Sequence, residues 1–225
     1  MRANIRLRNI AIVMPEHQQF ESLVTAVVER LQGTPGRFLL GVTGCPGAGK
    51  STLAAHLEQA VNERLSHEVS IVVPMDGYHL SNERLTELGL LPLKGIPATF
   101  DAYAFTQLLH QLKLNQTPIV FAPRFDRSIE ASIENAIAIK PEHRLCIVEG
   151  NYLLLDEPPW NECRNHLDEV WFLDVPMDVL LPRLIERHQV GGKTAEAARA
   201  KVDSTDLPNA RLIAGTKDKA TRIIQ

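Results

Sequence analysis

The 225-residue chain is short of the features that mark several protein classes. It has three cysteines, Cys45, Cys146 and Cys163, an odd number with no C-x-x-C pair, so neither a disulfide framework nor a thiolate zinc site is expected. That usage suits a reducing compartment, and a cytoplasmic location is expected. Positive charge is not in surplus: the formal net charge is −3 and the pI about 6.2. Without a basic footprint the chain cannot track a phosphate backbone, so a nucleic-acid partner is not expected. No apolar run approaches the roughly 20 residues of a membrane-spanning helix, and no membrane partner is expected. Residues 1–14 hold Arg2, Arg6 and Arg8 but lack the apolar core of a secretory signal, and they alternate like a strand. Internal repeats and low-complexity segments are also missing, and the length suits one large α/β domain.

What is present is ordered. Residues 16–32 place Phe20, Leu23, Val24, Val27, Val28 and Leu31 on one helical stripe, which predicts a packing helix closed by a G-T-P-G turn. Residues 38–43 form an apolar run without polar alternation, as in a strand buried on both faces of a parallel sheet. Similar runs recur at 69–74, 119–122, 145–149 and 170–175, with a last candidate at 220–224. Segments of helical length at 50–65 and 101–114 lie between them, the alternation of a doubly wound, mainly parallel α/β fold with helices on both faces. Residues 90–97 read as a loop, and Gly191-Gly192 as a helix C-cap and hinge.

Gly44, Cys45, Pro46, Gly47, Ala48, Gly49, Lys50 and Ser51 match G-x-x-x-x-G-K-[ST] between a strand and a helix, the context that gives this pattern meaning. Glycines let successive N–H groups turn inward around phosphates, and the helix that follows adds its positive end. Lys50 would reach the β- and γ-phosphates, the Ser51 hydroxyl would hold Mg²⁺, and Thr52 lies in the same turn. Cys45 reads as a small filler of a variable loop position, although a helix N-terminus and a lysine could favour its thiolate. Asp76, at the end of V-V-P-M-D-G-Y-H, stands at the carboxyl edge of a strand, where open α/β sheets bind ligands. It could take a proton from a hydroxyl or help hold Mg²⁺, or it could be a solvated Asp-Gly turn. Glu149 closes the run at 145–149 at another such edge.

P-M-D-G-Y-H-L-S-N, then L-K-G-I-P-A-T-F-D, then I-V-E-G-N-Y-L-L-L-D resemble the P-loop kinase superfamily of uridine kinase, pantothenate kinase and phosphoribulokinase. With R-L-I-E-R, G-G-K-T and D-L-P-N-A-R, the chain is similar in particular to bacterial nucleoside/nucleotide kinase-like, or fructose-transport-kinase-like, proteins. The resemblance implies a kinase domain over 37–225 with a helical lid at about 176–205, preceded by an extension, 1–36, whose helix packs on the core. It implies Asp76 as general base, Glu149 with Ser51 at Mg²⁺, and lid arginines closing on the transferred phosphoryl group. Arg187 is the better candidate and Arg183 the second, one turn apart in a helix that Pro182 should kink; a solvated face paired to Glu186 is the other reading. The acceptor would meet Tyr78, His79, Lys94, Arg124 and Asp126, the last two in P-R-F-D-R at 123–127. Tyr152 and Trp160 read as packing residues. Asn209 would lie near the adenine of ATP, or in a helix N-terminal loop capped by Asp206. The expected partners are therefore ATP and a small-molecule acceptor, with a homodimer as a family tendency.

Overall fold

The computed structural model describes residues 15–114 and 118–225, so the strand-like alternation of residues 1–14 lies outside the described residues. Helix α1 (His17–Gly33) buries Leu23, Val24, Val27 and Leu31 as its stripe predicts. Arg144 donates to the carbonyls of Leu31 and Thr34 and so satisfies the end of this helix. Strand β1 (Phe38–Gly44) is buried at every position and leads through the glycine-rich loop into α2 (Lys50–Leu65). Arg64 on α2 pairs with Glu21 and Thr25, which lays α1 alongside α2.

Strands β2 (Ser70–Pro74), β5 (Leu145–Glu149), β6 (Glu169–Leu173) and β7 (Arg222–Ile224) join β1 in a five-stranded sheet of order β2-β5-β1-β6-β7. Every pairing in it is parallel. Uninterrupted burial of β1 and β5 requires cover on both faces, which places the protein in the doubly wound α/β class. Between β2 and β5 come α3 (Asn82–Glu87) and α4 (Ala102–Leu114), and after β5 the short α5 (Cys163–His166).

The run at 119–122 departs from expectation. It belongs to β3 (Val120–Asp126), which pairs antiparallel with β4 (Ala131–Ile139) as a separate two-stranded hairpin outside the main sheet. The reason is one-sided burial: Val120 and Ala122 are buried while Phe121 between them is half exposed. The register slips between Ala122 and Arg124, around Pro123, which has no N–H to give to a ladder. Beneath the hairpin lies an aromatic cluster in which Tyr152 and Trp160 are buried with rings 5.3 Å apart, and Phe100 and Phe105 complete it.

Candidate active site

The loop from Cys45 to Gly49 turns at the carboxyl edge of β1. Gly49 enters α2 at φ 100°, a conformation that costs glycine little and other residues more. Lys50 is almost fully buried, and its Nζ donates to the Cys45 carbonyl at 3.1 Å. Burial lowers its pKa, and the nearby carboxylates of Glu149 and Asp76 oppose that fall. A buried ammonium beside a curled backbone and a helix N-terminus is a site that favours a phosphate. Cys45 serves packing: its Sγ donates to the Ala210 carbonyl at 3.3 Å, and burial pushes the thiol up, away from the thiolate.

Strand order brings the acids to this loop. In the register Pro74 lies beside Glu149, and Glu149 beside Val42, so the carboxyl ends of β2, β5 and β1 stand in a row. Asp76 follows β2 in a 3-10 turn, and Glu149 ends β5. The Ser51 hydroxyl donates to Glu149 Oε1 at 3.1 Å. Among the described residues no group of three or more His, Cys, Asp or Glu side chains gathers as a metal cage. Two hard oxygen donors next to a phosphate loop nevertheless fit Mg²⁺, which keeps water and leans on nucleotide phosphates.

Glu149 carries a cost in the nucleotide-free protein. Burial raises its pKa above 4.5, the charge of Asp76 raises it further, and Lys50 and the Ser51 bond work in the other direction. At low pH the carboxyl is neutral in folded and unfolded chains alike. As pH climbs past 4.5 the unfolded chain loses this proton first, so the folded state binds more protons and Glu149's contribution to stability declines with rising pH. Urea unfolding from that pH to neutrality is expected to show wild type losing stability relative to Glu149→Gln. A difference between the two that stays flat across the range would rule this out.

The hairpin meets the Asp76 turn in direct backbone contact. A Cβ on Gly77 would lie 2.3 Å from the Pro123 carbonyl oxygen, so only glycine fits. On this side Arg127 Nη2 donates to Asp76 Oδ2 at 3.1 Å. Of the other acceptor candidates, Tyr78 is buried edge-on to Phe105. His79 stacks on Phe100 with centroids 3.9 Å apart, and burial pushes its pKa down to about 4, so the ring is neutral near pH 7. Lys94 donates to Asn82 and to the Glu130 carbonyl and sits 4.9 Å from the Phe125 ring centre. Asp126 Oδ1 accepts from the N–H and hydroxyl of Ser128, which holds the hairpin turn and lowers the carboxyl pKa. Arg124 is exposed, and strand alternation sets it on the hairpin face opposite Phe125, whose ring lies 5.0 Å from His79.

Helix α6 (Met177–Val190) continues through Pro182 and closes at Gly191, whose N–H bonds the Arg187 carbonyl. Arg183 donates to the Gly47 carbonyl at 3.3 Å, so α6 leans on the phosphate loop. Helix α7 (Ala195–Lys201) passes through one π-helical turn, Val202–Asp206, straight into α8 (Leu207–Ala214). Asp206 stands at the N-cap of α8 but makes no capping bond. Its carboxylate instead accepts from Arg187 at 3.0 Å and lies 2.7 Å from His188 Nε2. Asn209 is buried and donates to the Gly95 carbonyl at 3.0 Å, where the Tyr152 hydroxyl also donates. Lys201 reaches the carbonyls of Pro92 and Lys94.

The structure therefore gathers Lys50, Ser51, Glu149, Asp76, Arg183 and Arg187 about the phosphate loop. It also adds Arg127 and Asp206, which sequence reasoning passed over as partners. Arg127 was visible as the second arginine of P-R-F-D-R, but nothing local shows which of the two arginines meets the strand-end acid.

Comparison with known proteins identifies the family. The family model described as Methylmalonyl Co-A mutase-associated GTPase MeaB matches residues 7–77, through the phosphate loop to the Asp76 turn. A Schizosaccharomyces pombe protein provisionally named a uridine kinase is 37% identical over 201 residues, 87% of this chain and 85% of its own. Escherichia coli YggC, itself uncharacterized, is 34% identical over 180 residues, 80% of this chain and 74% of its own. The crystal structure of a protein from Silicibacter sp., provisionally described as a fructose transport system kinase, superposes with a TM-score of 0.83 at 40% identity. That match covers 92% of this chain and 98% of the other. Because relatives at 37% and 34% identity cover 87% and 80% of this chain, the chain belongs to the P-loop kinase family of uridine-kinase-like proteins.

Proposed function

We propose that the protein transfers the γ-phosphoryl group of ATP to a hydroxyl of a small metabolite such as a nucleoside, a sugar or a pantothenate-like acid. The observation that carries the reading is the row of strand ends that sets Asp76 and Glu149 beside a buried Lys50. ATP lies with its phosphates in the loop from Gly44 to Thr52, where inward N–H groups, the α2 N-terminus and Lys50 carry its charge. Ser51 and Glu149, with Asp76 nearby, are the groups that would hold Mg²⁺, which when bound neutralises charge on the phosphates. Asp76 accepts the proton of the acceptor hydroxyl as its oxygen attacks the γ-phosphorus in line. Arg187 and Arg183 reach over the phosphates from α6, so positioning and electrostatics carry most of the acceleration.

The match of residues 7–77 to a GTPase family favours a second reading, a nucleotide-binding switch or ATPase without an acceptor. One assay separates them: ADP formation from Mg²⁺–ATP with a panel of nucleosides, pentoses, hexoses, pantothenate and vitamin alcohols. An acceptor that stimulates ADP formation and appears phosphorylated in the product supports the kinase. Nucleotide binding that changes protease sensitivity, with no acceptor raising ADP above background, supports the switch.

A further inference from the structure

The contact between Arg127 and Asp76 joins two mobile-length side chains from a fixed base. Arg127 stands just past the end of β3, whose Pro123 carbonyl abuts the Gly77 backbone, and the two Ser128 bonds to Asp126 hold the turn in shape. The Arg127 side chain is 67% exposed and that of Asp76 34%, so the pair can open without disturbing the core. It also occupies one of the two oxygens at which a carboxylate base receives its proton, Asp76 Oδ2. The neighbouring cation Lys94 is engaged by Asn82 and Glu130 and does not pair with Asp76.

We propose that Arg127 is a positioning residue that keeps the Asp76 carboxylate occupied in the absence of acceptor and yields it to the acceptor hydroxyl, so that ATP is not spent on water. The inference rests on the kinase reading above, with Asp76 as base. In the wasteful reaction a water molecule gives one proton to Asp76 while its oxygen bonds to the γ-phosphorus. The bond from that phosphorus to the β–γ bridging oxygen breaks, ADP leaves with the electron pair, and inorganic phosphate forms. A guanidinium on Asp76 Oδ2 takes one of the two oxygens that could receive the proton and fixes the carboxylate's orientation until a better-held hydroxyl displaces it.

The test is ADP release from Mg²⁺–ATP with no acceptor, for wild type, Arg127→Ala, Arg127→Lys, Asp76→Asn and the Arg127→Ala/Asp76→Asn double variant. Arg127→Ala is expected to hydrolyse ATP about two- to five-fold faster, which is ~0.4–1 kcal/mol at about 1.36 kcal/mol per decade and in the range of an exposed ion pair. Arg127→Lys should stay near wild type, and the double variant should be no faster than Asp76→Asn. A merely structural loss would not raise hydrolysis, nor would its effect vanish with Asp76. Unchanged or slower hydrolysis in Arg127→Ala, or an increase that survives in the double variant, overturns the inference and leaves the kinase reading intact. If Asp76→Asn leaves acceptor phosphorylation within a few-fold of wild type, the base assignment itself fails.

Discussion

Arg187→Ala is expected to lower phosphoryl transfer by about 10³- to 10⁵-fold, the worth of an arginine supplied to a loose phosphoryl-transfer transition state. ATP affinity should change little, because on the proposed reading the phosphate loop, Lys50 and Arg183, which stand together without Arg187, would still hold the donor. In the structure Arg187, 43% exposed, rests on Asp206, which is only 10% exposed, so losing the pair should cost about 1–3 kcal/mol of stability, more than an exposed ion pair is worth. Asp206 also keeps His188 at 2.7 Å, and its carboxylate is not stranded. Single-turnover transfer measured beside a urea midpoint separates a catalytic loss from an unfolded sample. Should Arg187→Ala stay within ten-fold of wild type while Arg183→Ala collapses, the lid arginine at work is Arg183.

Asp76→Asn is expected to reduce acceptor phosphorylation by about 10²- to 10⁴-fold, the usual range for a positioned general base. The substitution keeps shape and removes the proton-accepting charge, while Asp76 makes no bond to the phosphate loop. Equilibrium binding of ATP should therefore match wild type even as turnover falls. Acceptor-stimulated turnover within a few-fold of wild type would show that the strand-end carboxylate is not the base.

The donor side of the crevice was legible because its chemistry is contiguous. Eight residues from Gly44 to Ser51 lie between an apolar strand and a helix, and folding changes only their curvature. Asp76 and Glu149 could be read as strand-end acids for the same reason, since each follows an apolar run that enters the parallel sheet. The hairpin was not legible. Residues 119–122 look like another core strand, and burial on one face leaves no mark in so short a stretch. Its partner β4 has a single buried position, and the D-R-S turn lacks the Asn-Gly pair that announces hairpins. Contacts between distant loops were hidden for another reason. Arg127 meets Asp76 across 51 positions, Lys201 meets Pro92 across 109 and Asn209 meets Gly95 across 114, and local pattern does not say which loops become neighbours. Asn209, read as a candidate for the nucleotide base, instead spends its amide on Gly95.

That clasp ties the segment from Pro92 to Gly95 to α7 and α8, the regions that on the kinase reading would meet acceptor and donor. The segment from Pro92 to Gly95 hangs by its carbonyls from Lys201, Asn209 and Tyr152, while its Lys94 side chain bears on the hairpin tip. Local opening of α7 and α8 is therefore expected to release the 92–95 segment in the same event, and amides in the two regions should exchange hydrogen with one shared free energy. A ligand that tightens either end slows opening at both, so donor and acceptor can favour each other's binding through shared order, without any direct contact.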